Sequence, residues 1–90
     1  MKPPAAIVVT FHPDARAYDS LVALAEQARP LIVVDNSATQ ASRSRLTRAF
    51  GERADTVTLL FNPENLGVAA ALNIGLRAAA RLDGLLAGGP

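Results

Sequence analysis

Three short apolar runs, each followed by a segment with helical periodicity, constrain the fold of this chain more than any other feature. The runs are Ala5–Phe11, Leu31–Asp35 and Thr56–Phe61, and β-branched residues are frequent in them. Such runs are typical of strands that are buried on both faces of a parallel sheet. The alternation therefore predicts a three-layer α/β fold, β-α-β-α-β-α, whose parallel strands lie in the order 3-2-1, half of a doubly wound sheet.

The segments that follow the runs predict three helices. We expect them over residues 14–29, 40–50 and 66–82, with Asp14 as a candidate cap of the first and Asn65 as the cap of the third. The apolar face of the third helix is predicted to contain Ala69, Leu72, Leu76, Ala79 and Ala80. Gly75 lies inside this helix, where glycine costs roughly 1 kcal/mol of helix propensity, so we interpret it as a close-packing position.

Size and composition favour one small globular domain. The chain has 90 residues, of which 50% are apolar and 19% are charged, and its net charge is +1, which argues against disorder and against a nucleic-acid partner. It has no cysteine, which excludes thiolate zinc sites and thiol catalysis. We expect a single domain over residues 1–90 with its core over 5–82 and a flexible tail over 83–90. With no membrane-spanning run and a poor signal peptide, a cytoplasmic protein is expected.

Polar clusters follow the three predicted strands, over residues 10–14, 35–37 and 62–67. Because ligands of such sheets bind at the carboxyl ends of the strands, these clusters predict a binding site. The alternative is that they are ordinary polar turns. Asp35 either accepts a hydrogen bond from a ribose hydroxyl or a pyrimidine N–H, or caps the following turn. Asn65 and Gly67 form either an anion site or a plain helix cap.

Other motifs favour structural interpretations. His12 is the single histidine, so it is interpreted as an exposed loop residue and not as a zinc ligand. The densest basic stretch is interpreted as a solvated helix face; it consists of Arg43, Arg45 and Arg48. The sequence has no G-x-G-x-x-G after its first strand and no G-x-x-x-x-G-K-[ST]. Dinucleotide-fold dehydrogenases and P-loop enzymes are therefore not expected.

Taken together, VVTFHPD, IVVDNSA and NPENLGVAAALNIGLRAA resemble the amino-terminal, nucleotide-binding half of family 2 inverting glycosyltransferases, and among these the rhamnosyltransferase-like enzymes. The resemblance covers about residues 6–82. It implies a GT-A (Rossmann-like) fold that transfers a sugar, with rhamnose as one candidate, from a dTDP- or UDP-sugar to an acceptor hydroxyl. It also implies that Asp35 bonds the imide N–H of uracil or thymine. The nucleotide-binding residues it implies are Thr10, Phe11, Asp35, Asn65 and Gly67.

The sequence departs from that family pattern in one severe respect. The family's next strand carries an Asp-x-Asp element that holds Mg²⁺ or Mn²⁺, and these 90 residues contain no Asp-x-Asp. The part of the family that binds the acceptor and supplies its general base is also missing. The resemblance therefore implies a truncated domain without a metal site, a resident cofactor or a catalytic residue, inactive in transfer by itself.

An open edge on the first strand, Ala5–Phe11, is expected to invite pairing with another chain, so a homo-oligomer is predicted. The alternative function that this edge suggests is a non-catalytic α/β interaction module that self-associates through it. A receiver-like domain is a third possibility, but the paired acidic residues that such domains need after the first strand are absent.

Overall fold

The computed structural model describes residues 4–86 and contains one parallel sheet covered by helices on both faces. The strands are β1 (Ala6–Thr10), β2 (Leu31–Asp35) and β3 (Val57–Phe61). The helices are α1 (Ala15–Ala25), α2 (Gln40–Phe50) and α3 (Val68–Leu86), and a 3-10 turn covers Gly51–Arg53. The strand order is β1-β2-β3, which confirms the predicted α/β class and the order 3-2-1.

The central strand β2 determines the shape of the core. Every residue of β2 is buried, because it pairs with β1 on one side and β3 on the other. Its side chains alternate between the faces, so Leu31 and Val33 pack towards α1 and α2, while Ile32 and Val34 pack towards α3. A short run of branched apolar residues therefore contributes to the hydrophobic clusters on both faces of the sheet.

Helix α1 begins as predicted and ends earlier than predicted. Asp14 caps it, since its Oδ1 accepts a hydrogen bond of 2.8 Å from the backbone N–H of Ala17. The helix was expected to reach about Arg29 but ends at Ala25. The N–H groups of Glu26 and Gln27 bond to carbonyls three residues back, which tightens the turn. The N–H of Arg29 bonds instead to the carbonyl of Pro4, so the chain has already left the helix.

Helix α3 begins after Gly67, and the predicted Asn65 cap is wrong. The Oδ1 atom of Asn65 accepts a 3.0 Å bond from the N–H of Gly67, which closes a local turn before the helix starts at Val68. The helix then continues to Leu86, so residues 83–86 of the predicted tail are helical. The rest of that tail, residues 87–90, lies outside the described residues.

The buried face of α3 also differs from the predicted one. The residues that face the sheet are Ala71, Ile74, Gly75, Ala78, Ala79 and Leu82. Of the predicted set only Ala79 faces the core, and Leu72 and Leu76 are exposed. The observed face is rotated by about one residue, or 100°, from the predicted one. Apolar residues surround this helix, so periodicity alone does not select one face.

Gly75 selects the face that packs on the sheet. A Cβ atom at this position would lie 2.5 Å from Cγ2 of Ile7 and 3.3 Å from Cγ2 of Val34. Only a residue without a side chain allows α3 to approach β1 and β2 this closely. The interpretation of Gly75 as a packing residue is confirmed.

Within residues 4–86, none of the three helices combines the length and the hydropathy of a membrane-spanning segment.

Candidate functional site

Three strand ends lie side by side at the carboxyl edge of the sheet. The parallel register pairs Thr10 with Asp35 and Asp35 with Phe61, so the three side chains share the face that carries α1 and α2. Asp35 occupies the middle position and is 2% exposed. A buried carboxylate needs hydrogen-bond donors around it, and the neighbouring strand ends determine which donors reach it.

The hydrogen bonds of the Asp35 carboxylate converge on one of its two oxygens. Oδ1 accepts bonds from Oγ1 of Thr10 at 2.8 Å, from Oγ of Ser37 at 2.7 Å and from the backbone N–H of Ser37 at 3.3 Å. Among the side chains and backbone groups of residues 4–82, none donates a hydrogen bond to Oδ2. One oxygen is thus saturated by the fold, and the other keeps its capacity to accept.

The Ser37 hydroxyl has a fixed direction because it accepts a 2.6 Å bond from the backbone N–H of His12 while it donates to Asp35. This relay joins the loop after β1 to the loop after β2.

His12 and Ala38 both have left-handed backbone conformations, with φ of 46° and 59°. For residues other than glycine such a conformation costs roughly 1–2 kcal/mol. Backbone strain of this kind is concentrated at functional sites, and here it lies on both sides of Asp35.

A cavity of about 220 Å³ opens beside Asp35, between the ends of β2 and β3 and the start of α2. The residues that line it are Asp35, Ala38, Thr39, Gln40, Arg43, Phe61, Asn62 and Pro63. On its wall the guanidinium carbon of Arg43 lies 4.9 Å from the centre of the Phe61 ring. The volume is below the roughly 300–1,000 Å³ of a site for a drug-sized ligand. The cavity therefore suits one planar ring, with a cationic plane and an aromatic ring beside a buried acid.

A second polar network lies at the same edge and connects the sheet to the loop before α3. Oδ1 of Asn36 accepts bonds from Nδ2 of Asn62 at 2.7 Å and from the N–H of Leu66 at 3.4 Å. Nδ2 of Asn36 donates to the carbonyl of Gly67 at 3.1 Å. Both asparagines are buried. Their bonds fix the position of the 62–67 loop relative to β2.

The structure brings together some of the predicted site residues and separates others. Thr10 and Asp35 are in direct contact, and Gly67 is linked to the same edge through Asn36. Asn65 is exposed, and the bond found for it is the local turn with Gly67. Phe11 is 58% exposed and lines a different cavity, of about 330 Å³, between β1 and α1. The predicted set is therefore centred on Asp35, and Phe11 lies outside the cavity beside it.

A model of glycosyl transferase family 2 matches residues 6–81 of this sequence. The chain belongs to glycosyl transferase family 2. Among solved structures, it is similar to the mannosyltransferase PcManGT from Pyrobaculum calidifontis, determined in complex with GDP-Man and Mn²⁺. The TM-score is 0.68 and the sequence identity 27%, over 87% of this chain and 25% of that protein. The chain thus spans about a quarter of the length of that relative. No curated protein matches the sequence significantly.

Membership of glycosyl transferase family 2 confirms the family and the GT-A fold expected from the motifs. It also directs attention to residues that sequence reasoning missed. Arg43 is exposed, as expected of a solvated helix face, but it also stacks on Phe61 and lines the cavity, a role that was not predicted. Ser37, Asn36 and Asn62 were placed in polar clusters but received no role. Their positions in the sequence could have indicated a role, because each lies one or two residues after the end of an apolar strand.

A family 2 transferase is expected to use Mg²⁺ or Mn²⁺, and the described residues do not fit such an ion. Within residues 4–82, whose side chains the structure describes, no three His, Asp or Glu side chains lie close enough to hold a metal. The part of the chain whose side chains the structure describes therefore supplies no complete set of ligands for such an ion.

Proposed function

We propose that this chain carries the nucleotide-recognition site of a family 2 glycosyltransferase and that Asp35 reads the base. One observation carries the proposal: a buried carboxylate at the carboxyl edge of the sheet has one oxygen held by the fold and one left to accept. A base that donates an N–H to Oδ2 would lie in the cavity beside the Arg43–Phe61 pair. Stacking on a guanidinium plane and an aromatic ring suits every base, so the hydrogen bond supplies the selectivity.

The other site residues have positioning roles in this proposal. Thr10 holds Asp35, and Phe11 lies at the margin of the nucleotide. The loop that contains Asn65 and Gly67 lies beside the ribose and the diphosphate, and Asn36 holds this loop in place through its bond to the Gly67 carbonyl. The backbone N–H groups that begin α3 are then available for a phosphate.

The donor in this proposal is a dTDP- or UDP-sugar, with rhamnose as one candidate sugar, and the acceptor provides a hydroxyl. The solved mannosyltransferase binds GDP-Man, which makes a guanine nucleotide the competing donor. The 90 residues have no Asp-x-Asp. We therefore expect them to bind the nucleotide without transferring sugar by themselves, because the metal and the general base have to be supplied by other residues.

Calorimetric titration of UDP and dTDP, with and without Mn²⁺, tests the proposal. We expect saturable binding that weakens at least tenfold in Asp35→Asn, since a hydrogen bond to a charged group contributes about 1.5–3 kcal/mol. Asp55→Asn is the matched control, because Asp55 is an exposed acid in the turn that precedes β3, at the opposite edge of the sheet. The proposal is wrong if neither nucleotide binds at millimolar concentration, or if Asp35→Asn binds as tightly as the unchanged chain.

The second candidate function is self-association through β1, and the open edge of the sheet favours it. Within the described residues β1 pairs with β2 alone. Ala6 donates to Pro30 and Thr10 accepts from Asn36, so alternate residues face β2 and the backbone groups of Ile7 and Val9 point outwards. An outward-facing edge of this kind is a template for a further strand.

Val9→Pro removes one outward N–H without breaking the ladder to β2, so it should shift an oligomer towards the monomer. Light scattering over a wide concentration range measures this shift. A chain that is monomeric at every concentration, before any substitution, excludes self-association as its function.

A further inference from the structure

We infer that Thr10 and Ser37 set the base selectivity of this site by occupying Oδ1 of Asp35, which leaves a single acceptor and favours uracil or thymine over guanine. The inference rests on the proposed role of Asp35 in base recognition. It assigns a specificity-determining role to two hydroxyl groups that act through that carboxylate.

The first step is that the arrangement around Oδ1 is rigid. Three hydrogen bonds of 2.7–3.3 Å end on this oxygen, and all their donors belong to the ends of β1 and β2. The Ser37 hydroxyl cannot turn away without loss, because the His12 N–H already occupies its acceptor side. Thr10 and Ser37 are buried, so water does not readily replace either bond. Oδ1 is therefore not available to a ligand.

The second step is a comparison of base edges. Guanine presents two neighbouring donors, N1–H and N2–H, which match the two oxygens of a free carboxylate. Uracil and thymine present one N–H between two carbonyls, and this edge needs one acceptor with donors on its sides. Gln40 and Arg43, which carry such donors, line the same cavity. A guanine at Asp35 would leave one donor without its partner, and binding sites reject such ligands strongly.

Titrations of UDP, dTDP and GDP into the 90-residue chain measure this selectivity, because the three ligands share the same diphosphate. We expect UDP and dTDP to bind about tenfold or more tightly than GDP, the effect of one unmade bond to a charged group. Thr10→Val keeps the shape of the side chain and frees one position on Oδ1. The ratio of the affinity for UDP or dTDP to the affinity for GDP should therefore fall towards one. Ser37→Ala should act in the same direction.

Two controls separate selectivity from a loss of structure. Thr10→Ser keeps the hydroxyl and should keep the unchanged ratio. Thr58→Val makes the same exchange within β3, where no hydrogen bond to Asp35 exists, and should also leave the ratio unchanged. Thermal melts identify any variant that does not fold. A merely structural role for Thr10 would weaken all three nucleotides in proportion.

The outcomes distinguish this inference from the proposed function. If GDP binds as tightly as UDP, or if Thr10→Val and Ser37→Ala are folded and keep the original ratio, the inference is overturned while nucleotide recognition by Asp35 stands. If none of the three nucleotides binds, both are overturned. A lower ratio in the two hydroxyl variants, with no change in Thr10→Ser and Thr58→Val, supports the inference.

Discussion

Gly75→Ala tests how closely α3 packs on the sheet. Its expected effect on stability is the sum of a steric cost and a gain in helix propensity. The new Cβ would lie 2.5 Å from Cγ2 of Ile7, whereas carbon atoms in good contact are about 3.5–4.0 Å apart. Helix and strand must therefore separate by about 1 Å, or Ile7 must move. Overpacking of this kind costs about 1–3 kcal/mol. Alanine recovers about 1 kcal/mol of helix propensity, so we expect a net loss of about 1 kcal/mol.

Urea denaturation followed by circular dichroism measures this loss as a lower midpoint at an unchanged slope. Ala80→Gly, at an exposed position of α3, measures the difference in helix propensity between alanine and glycine without a packing effect, and it should cost about 1 kcal/mol. Ile7→Ala removes the clashing atom. In that background Gly75→Ala should cost less than in the unchanged chain, because the 3.3 Å approach to Cγ2 of Val34 is then the one tight contact left. If Gly75→Ala stabilises the unchanged chain by about 1 kcal/mol, the close approach of α3 to β1 is wrong.

Two further substitutions test the site. Ala38→Gly should raise the free energy of unfolding by about 0.5–1 kcal/mol, because relief of the left-handed backbone outweighs the added freedom of the unfolded chain. A thermal melt measures this change, and a lower melting temperature would contradict the assignment of backbone strain to Ala38. Asn36→Ala should cost about 2–3 kcal/mol, because it removes three bonds and leaves the buried amide of Asn62 without its acceptor. Hydrogen exchange at the backbone N–H of Leu66 should be faster in Asn36→Ala than in the unchanged chain. An unchanged exchange rate at Leu66 in Asn36→Ala would contradict the assigned bond.

The sequence was sufficient to predict those parts of the structure that depend on local pattern. Leu31–Asp35 is a strand in prediction and structure alike, because a run of branched apolar residues has few alternatives beside Pro30. The placement of Thr10 and Asp35 at the same edge of the sheet also follows from the pattern, since parallel strands joined by helices must end at one edge. Asp14 was identifiable as a cap from its position before an amphipathic segment.

The remaining features depend on tertiary structure that no local pattern records. Alanines and leucines surround α3, so the face that packs was decided by the steric fit of Gly75 against Ile7. Asn65 has the composition of a helix cap, yet a turn with Gly67 satisfies its side chain first. Arg43 and Phe61 are far apart in sequence, and their stacking follows from the placement of α2 beside β3.

The organisation of the site originates in three consecutive residues at the end of β2. Asp35 points to the face of α1 and α2, Asn36 reaches the loop before α3, and Ser37 bonds to the loop after β1. Consecutive residues can diverge in this way because the strand has just ended and its pleat no longer forces them to alternate. The strand that precedes Asn36 and Ser37 is fully buried, and both residues are buried themselves, so all three are held in place. A change at any one of them should therefore disturb a different loop, and only the Asp35–Ser37 pair should alter base selectivity.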